Sequence, residues 1–311
     1  IRKGLNSMRV LVTGGAGFVG TNLIKRLLKD GHEVVSVDNY STGKKENRQD
    51  GCTYYDIDLS DNSWWNLSKT CYCQIECDCQ MKSVDVIFHL AAIARIQPSF
   101  EHPIDTFNSN VTATLNVLEW ARKTNTSVVY AGSSSSNGDK FANPYTLSKS
   151  QGEQLVELYS KVYHLPTTIC RFYNVYGPHQ LTEGAYCTLI GIFETLYKEG
   201  RPLTITGDGE QRRDFTHVDD IVDGLISSAE DNSGETYELG RGKNYSVNEI
   251  AATFSLKTPM GDGIYPTEYI DEKPGEMRDT LCTDMKARDM LSWNPKRDVM
   301  DFIKENYILD K

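Results

Sequence analysis

Thr13-Gly14-Gly15-Ala16-Gly17-Phe18-Val19-Gly20 follows a short apolar run beginning at Arg9 and leads at once into a stretch patterned as a helix. Gly15, Gly17 and Gly20 satisfy G-x-G-x-x-G, and Gly14, Gly17 and Gly20 also satisfy G-x-x-G-x-x-G. Glycine suits such a loop for three physical reasons. The strand-to-helix turn is tight, a pyrophosphate must approach the backbone, and the helix must pack close to the strand. The next apolar run ends at Asp38, near the expected ~20 residues onward. A carboxylate there accepts hydrogen bonds from both ribose hydroxyls and repels a 2′-phosphate, so the pattern predicts NAD rather than NADP.

Working outward from that loop, β-branched runs at 9–13, 33–38, 53–56, 85–89, 127–131 and 167–172 alternate with helix-patterned stretches at 20–29, 104–124 and 144–163. This alternation predicts a doubly wound parallel α/β sheet of the Rossmann type over roughly the first 170 residues. Beyond Asn174 the regularity gives way to Gly- and Pro-rich joints such as Gly207-Asp208-Gly209 and Lys273-Pro274-Gly275. They point to a smaller C-terminal α/β substrate-binding domain. The expected division is 1–173 for the dinucleotide domain, with 215–240 returning to it, and 174–311 for the substrate domain.

The chain has 311 residues, with 33 Lys and Arg against 43 Asp and Glu, for a net charge of -10. That balance opposes nucleic-acid or anionic-membrane partners. No apolar run approaches the ~18 residues of a membrane span. The seven residues before Met8 lack an apolar signal core and stand outside the fold reading. Eight cysteines are few for a disulfide-built scaffold of this length, so a reducing compartment, the cytoplasm, is expected. Four of them form Cys71-x-Cys73-x3-Cys77-x-Cys79. This spacing departs from the usual zinc C-x2-4-C and includes no His, so the cluster reads as a surface insertion and no metal is expected.

The fifth strand runs into Gly132-Ser133-Ser134-Ser135-Ser136, and the next helix opens with Tyr145-Thr146-Leu147-Ser148-Lys149. Tyr145 and Lys149 are one turn apart and share a helical face. The Tyr-x3-Lys spacing occurs four times in the chain, and only this copy sits on a helix just after a serine cluster at a strand's carboxyl end. A phenol is a poor base at neutral pH unless cations stabilise its phenolate. An adjacent ammonium and a cationic nicotinamide would do so, letting Tyr145 take a proton from a substrate hydroxyl while Ser133 or a neighbour bonds the reacting oxygen. His89, ending an apolar strand, reads as a buried hydrogen-bonded residue, and Arg171 is as well explained by a structural ion pair as by ligand binding.

In this order, Thr13–Gly20, Asp38-Asn39, His89-Leu90-Ala91-Ala92, Asn110-Val111-Thr112, Ser133–Ser135 with Tyr145 and Lys149, Arg171–Pro178, Gly207–Phe215 with His217-Val218-Asp219-Asp220, and Lys273-Pro274-Gly275-Glu276 make a specific pattern. It resembles the extended short-chain dehydrogenase/reductase family, in its NAD-dependent nucleotide-sugar epimerase/dehydratase branch, and runs from Met8 to about Trp293. The resemblance implies a cofactor surface of Gly14, Gly17, Phe18, Val19, Gly20, Asp38, Asn39, Thr42, Gly43, Asp58, Leu59, Leu90, Ala91, Ala92, Asn110, Tyr145 and Lys149. It implies a catalytic set of Ser133, Ser134, Ser135, Tyr145 and Lys149. Substrate would meet Ser133, Tyr145, Asn174, Arg213 and Arg278, the last being the weaker phosphate candidate.

The expected activity is 4-epimerisation of a nucleotide diphosphate sugar, a UDP-sugar foremost, through a 4-keto sugar with NAD retained. A homodimer through the 104–124 and 144–163 helices is expected from the family. Two departures stand out. Only eight residues separate Ser136 from Tyr145, with Asn137-Gly138 where the family often has Tyr-Gly, so a differently shaped or more open pocket is expected. Sugar 4,6-dehydratases resemble one another in carrying Thr-Asp-Glu after the fifth strand, whereas this chain has three serines, which argues against dehydration. Other reactions on the same scaffold (dehydration, decarboxylation, reduction) and a non-catalytic NAD sensor are the alternatives.

Overall fold

The computed structural model describes residues 7–61, 64, 83–231, 233–255 and 265–308. The Cys71–Cys79 cluster lies outside the described residues. Six parallel strands alternate with helices as the periodicity requires: β1 (Arg9–Thr13), β2 (Glu33–Asp38), β3 (Cys52–Asp56), β4 (Val86–His89), β5 (Ser127–Ser133) and β6 (Thr167–Phe172). A seventh, β7 (Thr236–Leu239), arrives from far along the chain and pairs in parallel with β6. The spatial order is β7-β6-β5-β4-β1-β2-β3. It reverses direction between β1 and β4, and a doubly wound sheet opens its ligand crevice at the carboxyl ends of such a pair.

Because side chains alternate across a strand, each strand feeds two cores. Val10, Val12, Val34, Val86, Phe88 and Val129 pack on one face. They meet Leu23, Ile24 and Leu27 of α1 (Phe18–Lys29), and Ile221, Val222 and Leu225 from a helix further along. Leu11, Val35, Ile87, Val128 and Tyr130 point the other way.

The sequence predicts one helix over 104–124, and the structure divides it. After α2 (Ile96–Glu101), α3 (Pro103–Phe107) opens with proline in its first turn. A five-residue π-turn, Asn108–Thr112, follows, and then α4 (Ala113–Thr124). Asn110 lies at the centre of that turn. Its amide accepts from Ile93 N–H (2.8 Å) and donates to Ile93 O (3.0 Å) and to Ser148 Oγ (2.9 Å), and the wide turn makes room for that reach. Helix α5 (Pro144–Tyr163) lies beside it, and Val156 and Tyr159 join Val117, Leu118 and Trp120 over the sheet.

Beyond β6, α6 (Leu189–Lys198), α7 (Val218–Ser228) and α8 (Val247–Phe254) are joined by short ladders, including Leu203–Thr206 paired in parallel with Thr267–Ile270. Helix α7 covers the large sheet. Helices α6 and α8 instead enclose a separate core of Ile190, Phe193, Leu203, Ile205, Ile250, Phe254, Val299 and Ile303. The part of the chain beyond β6 thus divides between the large sheet and this separate core of short elements.

Candidate active site

A cavity of about 840 Å³ runs along the carboxyl ends of the strands, from the glycine loop to the short C-terminal elements. Pockets that hold single small ligands span about 300–1,000 Å³, so this one is near the upper end. Its floor is the start of α1. No side chain caps that helix at Gly17, which leaves its first backbone N–H groups for a ligand, and Gly14, Gly17, Phe18, Val19 and Gly20 all line the space. A Cβ on Gly20 would stand 2.2 Å from Gly14 O, and one on Gly14, at φ +69°, would stand 2.9 Å from the Ala91 backbone. Any side chain at either position would collide with the backbone that forms the cradle.

Asp38 is buried beside this loop, and its two oxygens accept from Ala16 N–H (2.9 Å) and Tyr40 N–H (2.8 Å). Burial raises its carboxyl above the ordinary value, while those two amides pull it back. Each carboxylate oxygen keeps acceptor capacity for a hydroxyl. Asp58 accepts from Asn39 Nδ2 (2.8 Å) and from Ser60. Leu59, Leu90, Ala91, Ala92, Asn39 and Thr42 complete the lining here. Glycine loop, uncapped helix start and ribose-height carboxylate fit a dinucleotide.

At the other end of the sheet, α5 delivers three side chains to one face at four-residue steps: Tyr145, Lys149 and Glu153. Asn143 caps the helix by accepting from Thr146 N–H (2.8 Å), and Tyr145 N–H donates to Ser99 Oγ (3.1 Å). The Tyr145 hydroxyl donates to Ser133 Oγ at 3.2 Å, and Ser133 Oγ lies 2.9 Å from Ser135 Oγ. Lys149 donates to Ala131 O and lies 4.5 Å from the centre of the Tyr130 ring. Burial lowers its ammonium to about 8, partly offset by Glu153. Burial pushes the Tyr145 phenol up, against the Ser133 hydrogen bond and the positive charge of Arg95.

Glu153 sits beneath the serine loop. One oxygen accepts from Ser133 N–H (3.2 Å) and Ser136 Oγ (3.0 Å), and the other from Arg171 Nε (3.0 Å) and Nη2 (2.7 Å). Arg171 also pairs with Glu238 (3.0 Å) and donates to Asn137 Oδ1 (2.6 Å). Its role is the structural ion pair, and Asn137 closes the same network. His89 is fully enclosed, with ring nitrogens 2.7 Å from Thr13 Oγ1 and 2.9 Å from Thr114 Oγ1. Burial drops it to about 3, so it stays neutral as a packing residue.

Three expected ligand residues are not part of the cavity lining. Asn110 spends its amide on Ile93 and Ser148 and does not line the cavity. Gly43 packs against Ala16 and Asp38, where its missing Cβ allows the close approach. Arg278 is turned onto Asp208 in a two-pronged pair (2.7 and 2.7 Å) at the surface, away from the cavity wall. Asn174 and Arg213 do line the cavity. Asn174 donates to Asp214 O (3.1 Å), and Arg213 reaches Glu276 at 3.4 Å.

The sequence reading missed Arg95, which enters the cavity beside Tyr186 and Cys187. The signal was present: a lone cation interrupts the apolar run Leu90-Ala91-Ala92-Ile93-Ala94 just past the carboxyl end of β4.

Residues 10–240 match the sequence model of the NAD dependent epimerase/dehydratase family. Over 314 aligned residues the chain is 31% identical to a putative UDP-glucose 4-epimerase of Methanocaldococcus jannaschii, covering 95% of this chain and 96% of that one. The fold superposes on the Thermotoga maritima UDP-glucose 4-epimerase with UDP-glucose at a TM-score of 0.85, with 28% identity and 96% of each chain covered. It superposes on the Bacillus cereus UDP-glucuronic acid 4-epimerase in complex with UDP-glucuronic acid and NAD at a TM-score of 0.82, with 28% identity and 96% and 98% covered.

Proposed function

Because the chain belongs to the NAD-dependent epimerase/dehydratase family and is an NAD-dependent enzyme, we propose that it inverts C4 of a nucleotide diphosphate sugar, with Tyr145 as the base. UDP-sugars are the favoured substrates, since the solved relatives above hold UDP-glucose and UDP-glucuronic acid. The observation that carries the reading is the Tyr145 hydroxyl on Ser133, with Lys149 one turn on, in a cavity continuous with the glycine loop. The serines at 133–135 offer no carboxylate for water elimination.

Gly14, Gly17 and Gly20 with the start of α1 would hold the pyrophosphate of NAD, and Asp38 the adenosine ribose. Bound NAD supplies reversible oxidation of C4 and a positive ring charge. Tyr145 as phenolate accepts the C4 hydroxyl proton and later returns it, so neither protons nor electrons change in net number. Ser133 fixes the reacting oxygen, and Glu153 fixes Ser133 through its backbone N–H. Lys149, one turn further along α5, would bring positive charge to the same buried site, and its lowered ammonium marks what that burial costs. Arg213 and Asn174 meet the diphosphate, leaving the sugar loosely held so that the 4-keto form can turn.

The test is direct. Purified protein incubated with UDP-glucose or UDP-glucuronate should yield the C4-inverted sugar without accumulating NADH. Stoichiometric NADH release, or no inversion with any nucleotide sugar, refutes the reading.

We assign the dinucleotide lobe to 1–173 with 215–240 and the sugar lobe to the remainder of 174–311. This is supported by α7 and β7 joining the large sheet. The apolar side chains of Ile104, Leu115, Leu158, Val162 and Tyr163 are exposed on α3, α4 and α5 and support a homodimer through those helices, which light scattering would detect. The free thiols of Cys52, Cys170, Cys187 and Cys282 are in keeping with a cytoplasmic setting. No described helix is long and apolar enough to cross a membrane.

A further inference from the structure

Arg95 follows β4 and lines the catalytic cavity. Its Nε donates to Tyr186 O at 2.8 Å and its Nη1 to Ala94 O at 3.1 Å. Most of the guanidinium's N–H groups meet no acceptor among the described residues. Among the described residues no carboxylate comes within ion-pair distance. The acid it senses is Glu276, which instead approaches Arg213 Nη2 at 3.4 Å. A guanidinium holds its charge at any physiological pH. Protein surrounds this one closely enough that burial lowers its pKa, with Tyr145, Cys187 and Glu276 working the other way.

Holding a permanent cation in a half-buried place, with no carboxylate within ion-pair distance among the described residues, costs some stability, and backbone carbonyls recover only part of it. Such a charge is made good when a ligand brings the anion. Its place narrows which anion. Arg95 immediately precedes α2, whose Ser99 Oγ accepts from Tyr145 N–H at 3.1 Å, and its charge acts on the Tyr145 hydroxyl, the group that meets the reacting C4 oxygen in the epimerase reading. Arg213 instead lines the cavity with Asn174, Phe215 and Thr280.

We propose that Arg95 binds a carboxylate carried by the hexose itself, so that this enzyme selects an acidic nucleotide sugar over a neutral one. The inference rests on the nucleotide-sugar reading of the cavity and adds the class of sugar. A planar carboxylate against the open edge of a guanidinium gives paired charge-assisted hydrogen bonds, which a primary hydroxyl on a neutral hexose cannot match. The same contact would place the ring relative to Tyr145.

The experiment is calorimetric titration of the NAD-loaded protein, as wild type, Arg95→Met and Arg95→Lys, with UDP, UDP-glucose and UDP-glucuronate. The wild type should bind UDP-glucuronate at least about tenfold more tightly than UDP-glucose. Arg95→Met should weaken UDP-glucuronate by about 10- to 100-fold and leave UDP and UDP-glucose within about threefold, which also shows that the variant is folded. Arg95→Lys should retain part of the preference. Equal weakening of all three ligands would place the guanidinium on the diphosphate and overturn the proposal. So would a wild type with no preference for the acid. If UDP-glucose is bound and epimerised without acid preference, only this inference fails. If no UDP ligand binds the wild type, the nucleotide-sugar reading falls with it.

Discussion

Replacing Lys149 by methionine should make the cofactor-free protein more stable at neutral pH while stopping turnover. The ammonium is buried and sits at about 8, against an ordinary value of 10.5. At ~1.4 kcal/mol per pKa unit, holding it charged inside the fold costs about 3 kcal/mol below pH 8. Between pH 8 and 10.5 the unfolded chain binds more protons than the folded one, so stability contributed at this position rises with pH across that window and is flat outside it. Methionine has a similar unbranched shape and removes the charge, but it leaves Ala131 O without its donor, a loss of about 1 kcal/mol. The net expectation is a gain of about 2 kcal/mol at pH 7 that shrinks through zero toward pH 10.5. Urea unfolding of cofactor-stripped wild type and Lys149→Met at both pH values measures it, since every other titrating group is common to the two proteins. A variant less stable at pH 7, or a difference that ignores pH, would refute the idea that burial of this ammonium is what lowers it.

Tyr145→Phe should reduce kcat by about 10²- to 10⁴-fold while UDP-sugar affinity stays within a few-fold, as steady-state kinetics beside binding titrations would show; near-normal turnover would remove Tyr145 as base. Glu153→Ala strands Arg171 on Glu238 and Asn137 and leaves Ser133 N–H and Ser136 Oγ without their acceptor. A loss of about 3 kcal/mol in chemical denaturation is expected, and an unchanged midpoint would contradict the network. Asp38→Ala should weaken NAD binding by at least about tenfold in titrations of stripped protein. It loses a ribose acceptor and the two contacts that hold Ala16 and Tyr40, so unaltered affinity would exclude that carboxylate from the cofactor site.

What could be read directly is local in its physics. Strand and helix periods, the glycine loop and the Asp at the end of β2 each depend on near neighbours in sequence, and six strands fall within a residue or two of their expected places, β5 running on to Ser133. What escaped depends on partners far along the chain. The apolar pattern continues through 104–124 without a break, because the π-turn contains no helix-breaking residue and coincides instead with Asn110 bonding Ile93. The pairing of Arg278 with Asp208, 70 residues away, carries no sequence signal of its own. Strand β7 carries Glu238 at its centre, and that charge makes sense only in register with Arg171 on β6. Arg95 escaped for the opposite reason: among the described residues it has no acidic partner within ion-pair distance to reveal it.

The late arrival of β7 also bears on how the protein is made. A ribosome releases Phe172 long before Leu239, and at about 5–20 residues per second the interval is roughly 3–13 seconds. Throughout that time one edge of β6 presents unpaired N–H and C=O groups, with Arg171 lacking Glu238. An open apolar strand edge is a template for pairing with another nascent chain. The emerging protein thus passes through a sticky stage that ends only when the excursion between β6 and β7 has been synthesised, and a shuffled gene that exchanged the first half alone would inherit that stage permanently.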